Sequence, residues 1–227
     1  MFSQSFDGCL FDMDGTLVDS SALVESTWKA FSSKYSLNFE EVINYAHGRP
    51  TEHTVRKFLG NTTEARMETE RIVALEETTT DGIKACPGAH EVVEQMKRYR
   101  WGVVTSATRD LAQNRLAAAN LPIPATLVTA EDVKAGKPDP EGFLIGARVL
   151  GLEPERTLVF EDSLAGLRAA IAGGFPTVRL GVAEHVPGEA GSLASFEDIS
   201  VVNRESSGVS GCFVLSARTM ESRDEKA

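Results

Sequence analysis

From Cys86 to Leu180 the chain alternates short apolar runs with helical stretches, and this alternation restricts its fold more than any other feature. Trp101-Gly102-Val103-Val104-Thr105, Ala125–Val128, Thr157–Phe160 and Pro176–Leu180 read as buried strands. Pro87–Tyr99, Arg109–Asn120, Pro140–Leu150 and Leu164–Ala172 read as helices. The helix from Arg109 is stopped by Leu121-Pro122, because a residue before proline is pushed out of the helical region. Strands alternating with helices of ~10–15 residues predict a parallel sheet joined by right-handed crossovers. The expected fold class is α/β.

One more strand, Phe6–Phe11, lies far upstream of that series. After Ser20 the period becomes helical: Leu23, Val24, Thr27, Trp28, Phe31 and Tyr35 recur at steps of three and four, one apolar stripe. Further helices are expected near Glu40–Ala46, Glu52–Leu59 and Thr63–Glu77, broken at Gly48 and Pro50, and no strand is expected between Ser20 and Lys84. The expected organisation is therefore a discontinuous core of residues 1–17 and 86–227, with residues 18–85 inserted as a helical cap after the first strand. Ser195–Ile199 reads as a last short element on the sheet. Ser206–Ala227, rich in Ser, Gly and charge, reads as a loosely ordered terminus, with Cys212–Leu215 as a candidate strand within it.

In a parallel sheet all strand ends face one edge, where open α/β sheets keep their ligands. Asp12 and Asp14 follow the first strand two residues apart, so continued extension points both carboxylates the same way, and Gly15 then permits a sharp turn. Thr105 and Ser106 end another strand, Lys137 lies on the loop after the Ala125 strand, and Glu161 and Asp162 end a third. Each position has a plain structural reading as a turn, a loop or a helix N-cap. Together, at one sheet edge, they form a convergent set.

Asp12-Met13-Asp14-Gly15-Thr16, with Thr105-Ser106, Lys137 and Glu161-Asp162 in that order, resembles the four motifs of the haloacid dehalogenase-like superfamily over Phe6–Leu180. The string Phe11–Ser20 is similar to its sugar-phosphate phosphatases, phosphoglycolate phosphatases and β-phosphoglucomutases. The resemblance implies a three-layer Rossmann-like core with an inserted all-α cap of the C1 type. It implies Asp12 as the nucleophile that becomes an aspartyl-phosphate, and Asp14 as the acid and then the base. Thr105 or Ser106 would bind a phosphoryl oxygen, and Lys137 would balance charge on Asp12 and the phosphoryl group. Asp162, with Glu161 as a further candidate, would hold Mg²⁺ together with Asp12 and the backbone carbonyl of Asp14. An aspartate at position 14 favours an ester over a halide, which leaves without a proton. His47-Gly48-Arg49-Pro50-Thr51 resembles the substrate-facing cap loop of 2-deoxyglucose-6-phosphate and glycerol-phosphate phosphatases. Arg49 is thus the candidate contact to a hydroxyl-rich leaving group.

Charge supports such a set independently. A carboxylate and a phosphate dianion 4 Å apart repel by about 4 kcal/mol per pair of unit charges at an effective dielectric of 20. A divalent cation and an ammonium reverse that sign, and all-oxygen ligation suits Mg²⁺. The chain of 227 residues has 23 Lys plus Arg against 33 Asp plus Glu, a net charge of −10, which argues against nucleic-acid or anionic-membrane partners. Three widely spaced cysteines predict reduced thiols in a cytoplasmic protein, and no segment reads as a signal or a membrane span. A monomer is expected. The leading expectation is a Mg²⁺-dependent phosphatase of small phosphorylated sugars or polyols. The alternatives are a β-phosphoglucomutase-like mutase and a non-catalytic binding protein.

Overall fold

The computed structural model describes residues 4–181, 184–203 and 212–217. Its main sheet contains β1 (Gly8–Phe11), and the chain then continues through the two-residue strand β2 (Val18–Asp19) into four helices. These are α1 (Ser21–Tyr35), α2 (Phe39–Ala46), α3 (Thr51–Leu59) and α4 (Thr63–Thr78), followed by the two-residue strand β3 (Lys84–Ala85). Alternation then begins: α5 (Ala89–Met96), β4 (Arg100–Val104), α6 (Arg109–Ala118), β5 (Thr126–Val128), α7 (Glu141–Leu150), β6 (Thr157–Glu161), α8 (Leu164–Ala172), β7 (Thr177–Leu180) and β8 (Gly191–Leu193). The last described elements are β9 (Ile199–Asn203) and β10 (Phe213–Ala217).

Six strands form one parallel sheet in the order β5-β4-β1-β6-β7-β8. β1 sits between β4 and β6, so connections depart to opposite sides and leave a crevice beyond its carboxyl end. Alternate residues serve the two faces, as a period of two requires. Cys9 and Phe11 of β1, with Leu158 and Phe160 of β6, join the cluster on one face; Leu10 and Val159 join Val104, Phe143 and Ala169 on the other. Phe11 and Phe160 stack with centroids 5.1 Å apart, and Phe196 meets both edge-on at 5.8 and 5.2 Å. This aromatic block fixes β1 against β6, and with it the loops that leave their ends.

The helices α1–α4 bury an apolar cluster of their own, built on Trp28, Phe31, Val42, Ile43, Val55 and Ile72. Asn38 and Thr62 cap α2 and α4 by accepting from Glu41 N (3.1 Å) and Ala65 N (3.0 Å). The architecture is thus a parallel α/β core with an all-helical segment after its first strand, as expected.

Two features differ from the sequence-based expectation. β2 and β3 pair antiparallel, Val18 with Ala85 and Asp19 with Lys84, where the chain leaves for the helices and where it returns. Two-residue strands are too short to show a period, so no pattern announced them. The second difference is in the tail. β10 pairs antiparallel with β9, and Phe213 exchanges backbone hydrogen bonds with Phe6 at 2.8 and 2.9 Å. Phe213 is fully buried against Phe6 and Tyr99. The expectation of a loose terminus is corrected for residues 212–217, where the candidate strand at Cys212–Leu215 is found as β10, its order coming from remote partners rather than local composition. Residues 204–211 and 218–227 lie outside the described residues. Among the described residues no helix is long and apolar enough to cross a membrane, and the three cysteines form no disulfide.

Candidate active site

Asp12 continues β1, its N–H donating to Phe160 O at 2.9 Å. The chain then turns tightly, with Leu17 N–H to Met13 O at 2.8 Å and Gly15 N–H to Val18 O at 2.8 Å. Gly15 has φ +86°, and a Cβ there would lie 2.1 Å from Asp162 Oδ2. Glycine is needed twice at this position, for the backbone angle and for the approach of that carboxylate. Thr16 Oγ1 donates to Asp162 Oδ1 at 3.4 Å, tying the turn to the end of β6.

Lys137 reaches in from the loop between β5 and α7. Its Nζ donates to Asp12 Oδ1 and, at 2.6 Å, to Glu161 Oε2. Asp12, Lys137 and Glu161 are all buried. Glu161 Oε1 accepts from Asp162 N, Ser163 N and Ser163 Oγ at 2.9–3.1 Å, while Ser163 caps α8 by accepting from Gly166 N at 3.1 Å. Glu161 therefore organises the floor of the site, holding both the ammonium and the loop that carries Asp162.

Two buried carboxylates here share one ammonium, and a third, Asp162, lies beside them. Burial, and next the charge of Glu161, push the Asp12 carboxyl up to about 8, against the pull of Lys137. Asp162 is raised by burial and by the charges of Glu161 and Asp12. Burial opposes the Lys137 charge, yet Asp12 and Glu161 outweigh it and hold the ammonium above its ordinary value. The site is short of positive charge. Oxygen atoms of Asp12, Glu161 and Asp162 lie within 4.8 Å of one another, a hard all-oxygen set that fits a divalent cation of the Mg²⁺ or Ca²⁺ class.

Above this floor lies a cavity of about 220 Å³ between the sheet edge and the helices. Asp12, Asp14, Thr105, Ser106, Arg49 and Asp162 all line it, so six of the eight sequence-derived candidates share one space; Lys137 and Glu161 lie beneath. Thr105 Oγ1 accepts from Ala107 N at 3.1 Å, and Ser106 Oγ donates to Gly48 O at 3.1 Å, across to the helical segment. Gly48, at φ +71°, packs where a Cβ would lie 2.1 Å from Ser163 Oγ. Close contact of the His47–Thr51 loop with the sheet edge thus requires a glycine. Arg49 stands at the cavity with its guanidinium 4.4 Å from the Tyr45 ring centroid and Nη1 donating to Tyr45 O at 2.7 Å.

The structure adds residues that the sequence reading did not single out for the site. Ser20 Oγ donates to Asp14 Oδ1 at 2.6 Å. Arg115 on α6 pairs with Asp14 at 2.8 Å and lies 3.5 Å from Glu76 on α4. Trp28, read only as part of the apolar stripe of α1, also lines the cavity. Arg115 and Glu76 do leave a trace in sequence: each falls on the buried face of its helix, beside Leu111, Ala112 and Leu116 in α6 and beside Ala65 and Ile72 in α4. A charged residue at an apolar period marks either a buried ion pair or a site.

Residues 6–174 match the family model of the haloacid dehalogenase-like hydrolases. The chain is 38% identical to hexitol phosphatase A of Escherichia coli over 79% of its own length and 85% of that protein's. It is 30% identical to 2-deoxyglucose-6-phosphate phosphatase 2 of Saccharomyces cerevisiae, over 77% and 79%. The crystal structure of a hydrolase from Pseudomonas syringae superposes with a TM-score of 0.73 at 26% identity, covering 84% of this chain and 94% of the other. A convergent acid and lysine set on this sheet edge, and a match that runs through every strand contributing to it, lead to one conclusion: the chain belongs to the haloacid dehalogenase-like hydrolases.

Proposed function

We propose that the protein is a Mg²⁺-dependent phosphatase of small phosphorylated sugars or polyols, working through an aspartyl-phosphate on Asp12. The observation that carries this reading is the Lys137 ammonium shared between Asp12 and Glu161, with oxygens of Asp12, Glu161 and Asp162 within 4.8 Å of one another, at the floor of a cavity that Asp14 lines. The relatives named as phosphatases of hexitol and deoxyglucose phosphates support the substrate class.

In this reading Asp12 attacks phosphorus, and the ester oxygen departs with a proton from Asp14. Asp14 then takes a proton from the water that hydrolyses the phospho-aspartate. Ser20 and Arg115 hold the Asp14 carboxylate in place for both transfers. Lys137 offsets charge on Asp12 and the phosphoryl oxygens, and the Thr105 and Ser106 hydroxyls are within the cavity to bind them. Asp12, Asp162 and the Asp14 carbonyl would hold Mg²⁺, with Glu161 supporting from behind. The bound cation supplies the positive charge that lets a carboxylate meet a phosphate. Residues 18–85 act as the cap, with Arg49 contacting the leaving group, and residues 1–17 with 86–227 form the core.

The test is phosphate release from glycerol 3-phosphate, 2-deoxyglucose 6-phosphate, fructose phosphates, glucose 1-phosphate and phosphoglycolate, with Mg²⁺ or chelator. Mass spectrometry of rapidly quenched enzyme would look for phosphate on Asp12. Metal-dependent release that Asp12→Asn abolishes is expected. Conversion of glucose 1-phosphate to glucose 6-phosphate without release would replace the hydrolase by a mutase.

A further inference from the structure

The cavity holds a buried ion pair that the reaction above uses only in part. Glu76 is 5% exposed and Arg115 4%, and both line the cavity. Because Arg115 binds Asp14 through Nη1 and approaches Glu76 through Nη2, the two carboxylates flank one guanidinium. Glu76 therefore sits within that guanidinium's span of the group read as proton donor to the leaving oxygen.

The polar atoms here have unused capacity. Among the described residues Glu76 accepts only from Thr51 Oγ1 at 3.4 Å and from Arg115 Nη2 at 3.5 Å, both at the far limit of a hydrogen bond. Arg115 Nε is buried and has no hydrogen-bond partner among the described residues. A buried carboxylate with open lone pairs and a buried N–H without an acceptor are costly as they stand. A hydroxyl group that donates to Glu76 relieves the carboxylate. The charge count points the same way. Arg115 is the cationic partner of two carboxylates, and Arg49, the other arginine at the cavity, is engaged by the ring and carbonyl of Tyr45. A leaving group with its own carboxylate would meet Asp14 and Glu76 with little positive charge to spare.

We propose that Glu76, Arg115 and Thr51 form a hydroxyl-reading subsite, which selects phosphate esters with neutral hydroxyls beside the ester carbon and disfavours those with a second anion. Glu76 accepts an O–H from the leaving group, Arg115 holds Glu76 and Asp14 on either side of its guanidinium, and Thr51 orients Glu76. This rests on the phosphatase reading and specifies its substrate class.

The experiment compares kcat and KM for glycerol 3-phosphate, a hexitol 6-phosphate, propyl phosphate and phosphoglycolate in wild type, Glu76→Gln and Thr51→Val. In Glu76→Gln the preference for the hydroxylated esters over propyl phosphate falls at least about tenfold, the size of one lost hydrogen bond to a charged group, and the loss lies in KM. The discrimination against phosphoglycolate falls as well. Thr51→Val shifts both ratios the same way by less, and keeps the inference testable if the Glu76 variant folds poorly. Loss of kcat by one common factor for all four esters would make Glu76 a latch between helices and overturn the subsite. Release by wild type with unchanged ratios in both variants overturns the subsite alone. No release from any ester by wild type overturns the phosphatase reading and the subsite with it.

Discussion

Replacing Asp12 with asparagine keeps the size of the side chain and removes the charge least compatible with its surroundings. In the metal-free protein, burial and the charge of Glu161 lift this carboxyl from 3.8 to about 8. Between those values the folded protein holds a proton that the unfolded chain has released. More protons bound in the folded state mean that stability falls as pH rises from about 4 towards about 8. Each unit is worth about 1.36 kcal/mol, so the roughly three units from pH 4 to pH 7 amount to ~4 kcal/mol before relaxation, or roughly 2–4 kcal/mol after it. At ~2–4 °C per kcal/mol for a chain of this size, that is a Tm change on the order of 5–15 °C. The asparagine side chain cannot titrate and still offers Lys137 an oxygen. In chelator, the Tm of Asp12→Asn should thus match wild type near pH 4 and exceed it by that margin at pH 7, with a wider gap at pH 8, measured by calorimetry. Titrating groups remote from the site cancel in the difference, while Asp162, raised in part by Asp12, is relieved in the variant and adds to the gap in the same direction. Millimolar Mg²⁺ should close the gap by stabilising wild type more. A gap that does not widen with pH, or a wild type more stable than the variant at pH 8 in chelator, would refute the account of the site as short of positive charge.

Lys137→Met leaves the two buried carboxylates of Asp12 and Glu161 without their ammonium; we expect loss of activity by more than about a thousandfold and destabilisation of roughly 3–5 kcal/mol at pH 8, read by phosphate release and urea midpoint. Gly15→Ala places a Cβ 2.1 Å from Asp162 Oδ2 at a φ of +86°, so Mg²⁺ activation should weaken by about tenfold or more, read from the Mg²⁺ dependence of the rate. Phe213→Ala empties a fully buried site against Phe6 and Tyr99 and should cost about 3–5 kcal/mol by denaturant unfolding, with little change in KM.

The parallel core was legible because its strands are short apolar runs separated by capped helices, and the bounds of α8 match the sequence reading residue for residue. The strand-end residues were legible because a parallel sheet brings its carboxyl ends together whatever their distance in sequence. What escaped was non-local. Ser20, Arg115 and Glu76 reach the cavity from three helical contexts in which their neighbours show only periodicity. The β2–β3 ribbon exists because two remote dipeptides meet. Glu161, read as a further candidate ligand, holds Lys137 and the Ser163 cap, a role that depends on geometry behind the sheet edge.

The pairing of Phe213 with Phe6 has a consequence for how the molecule is made. Phe6 lies two residues before β1, the strand that ends next to Asp12, and it gains its partner from one of the last described segments of the chain. Contacts this distant in sequence form late and slow the search for the native state. During synthesis β1 must therefore wait, half secured by β4 and β6, until residue 213 has emerged. Residues 213–217 act as a buckle on Phe6, and a nascent chain lacking them would carry an assembled sheet with an open apolar seam at Phe6, the kind of surface that chaperones bind.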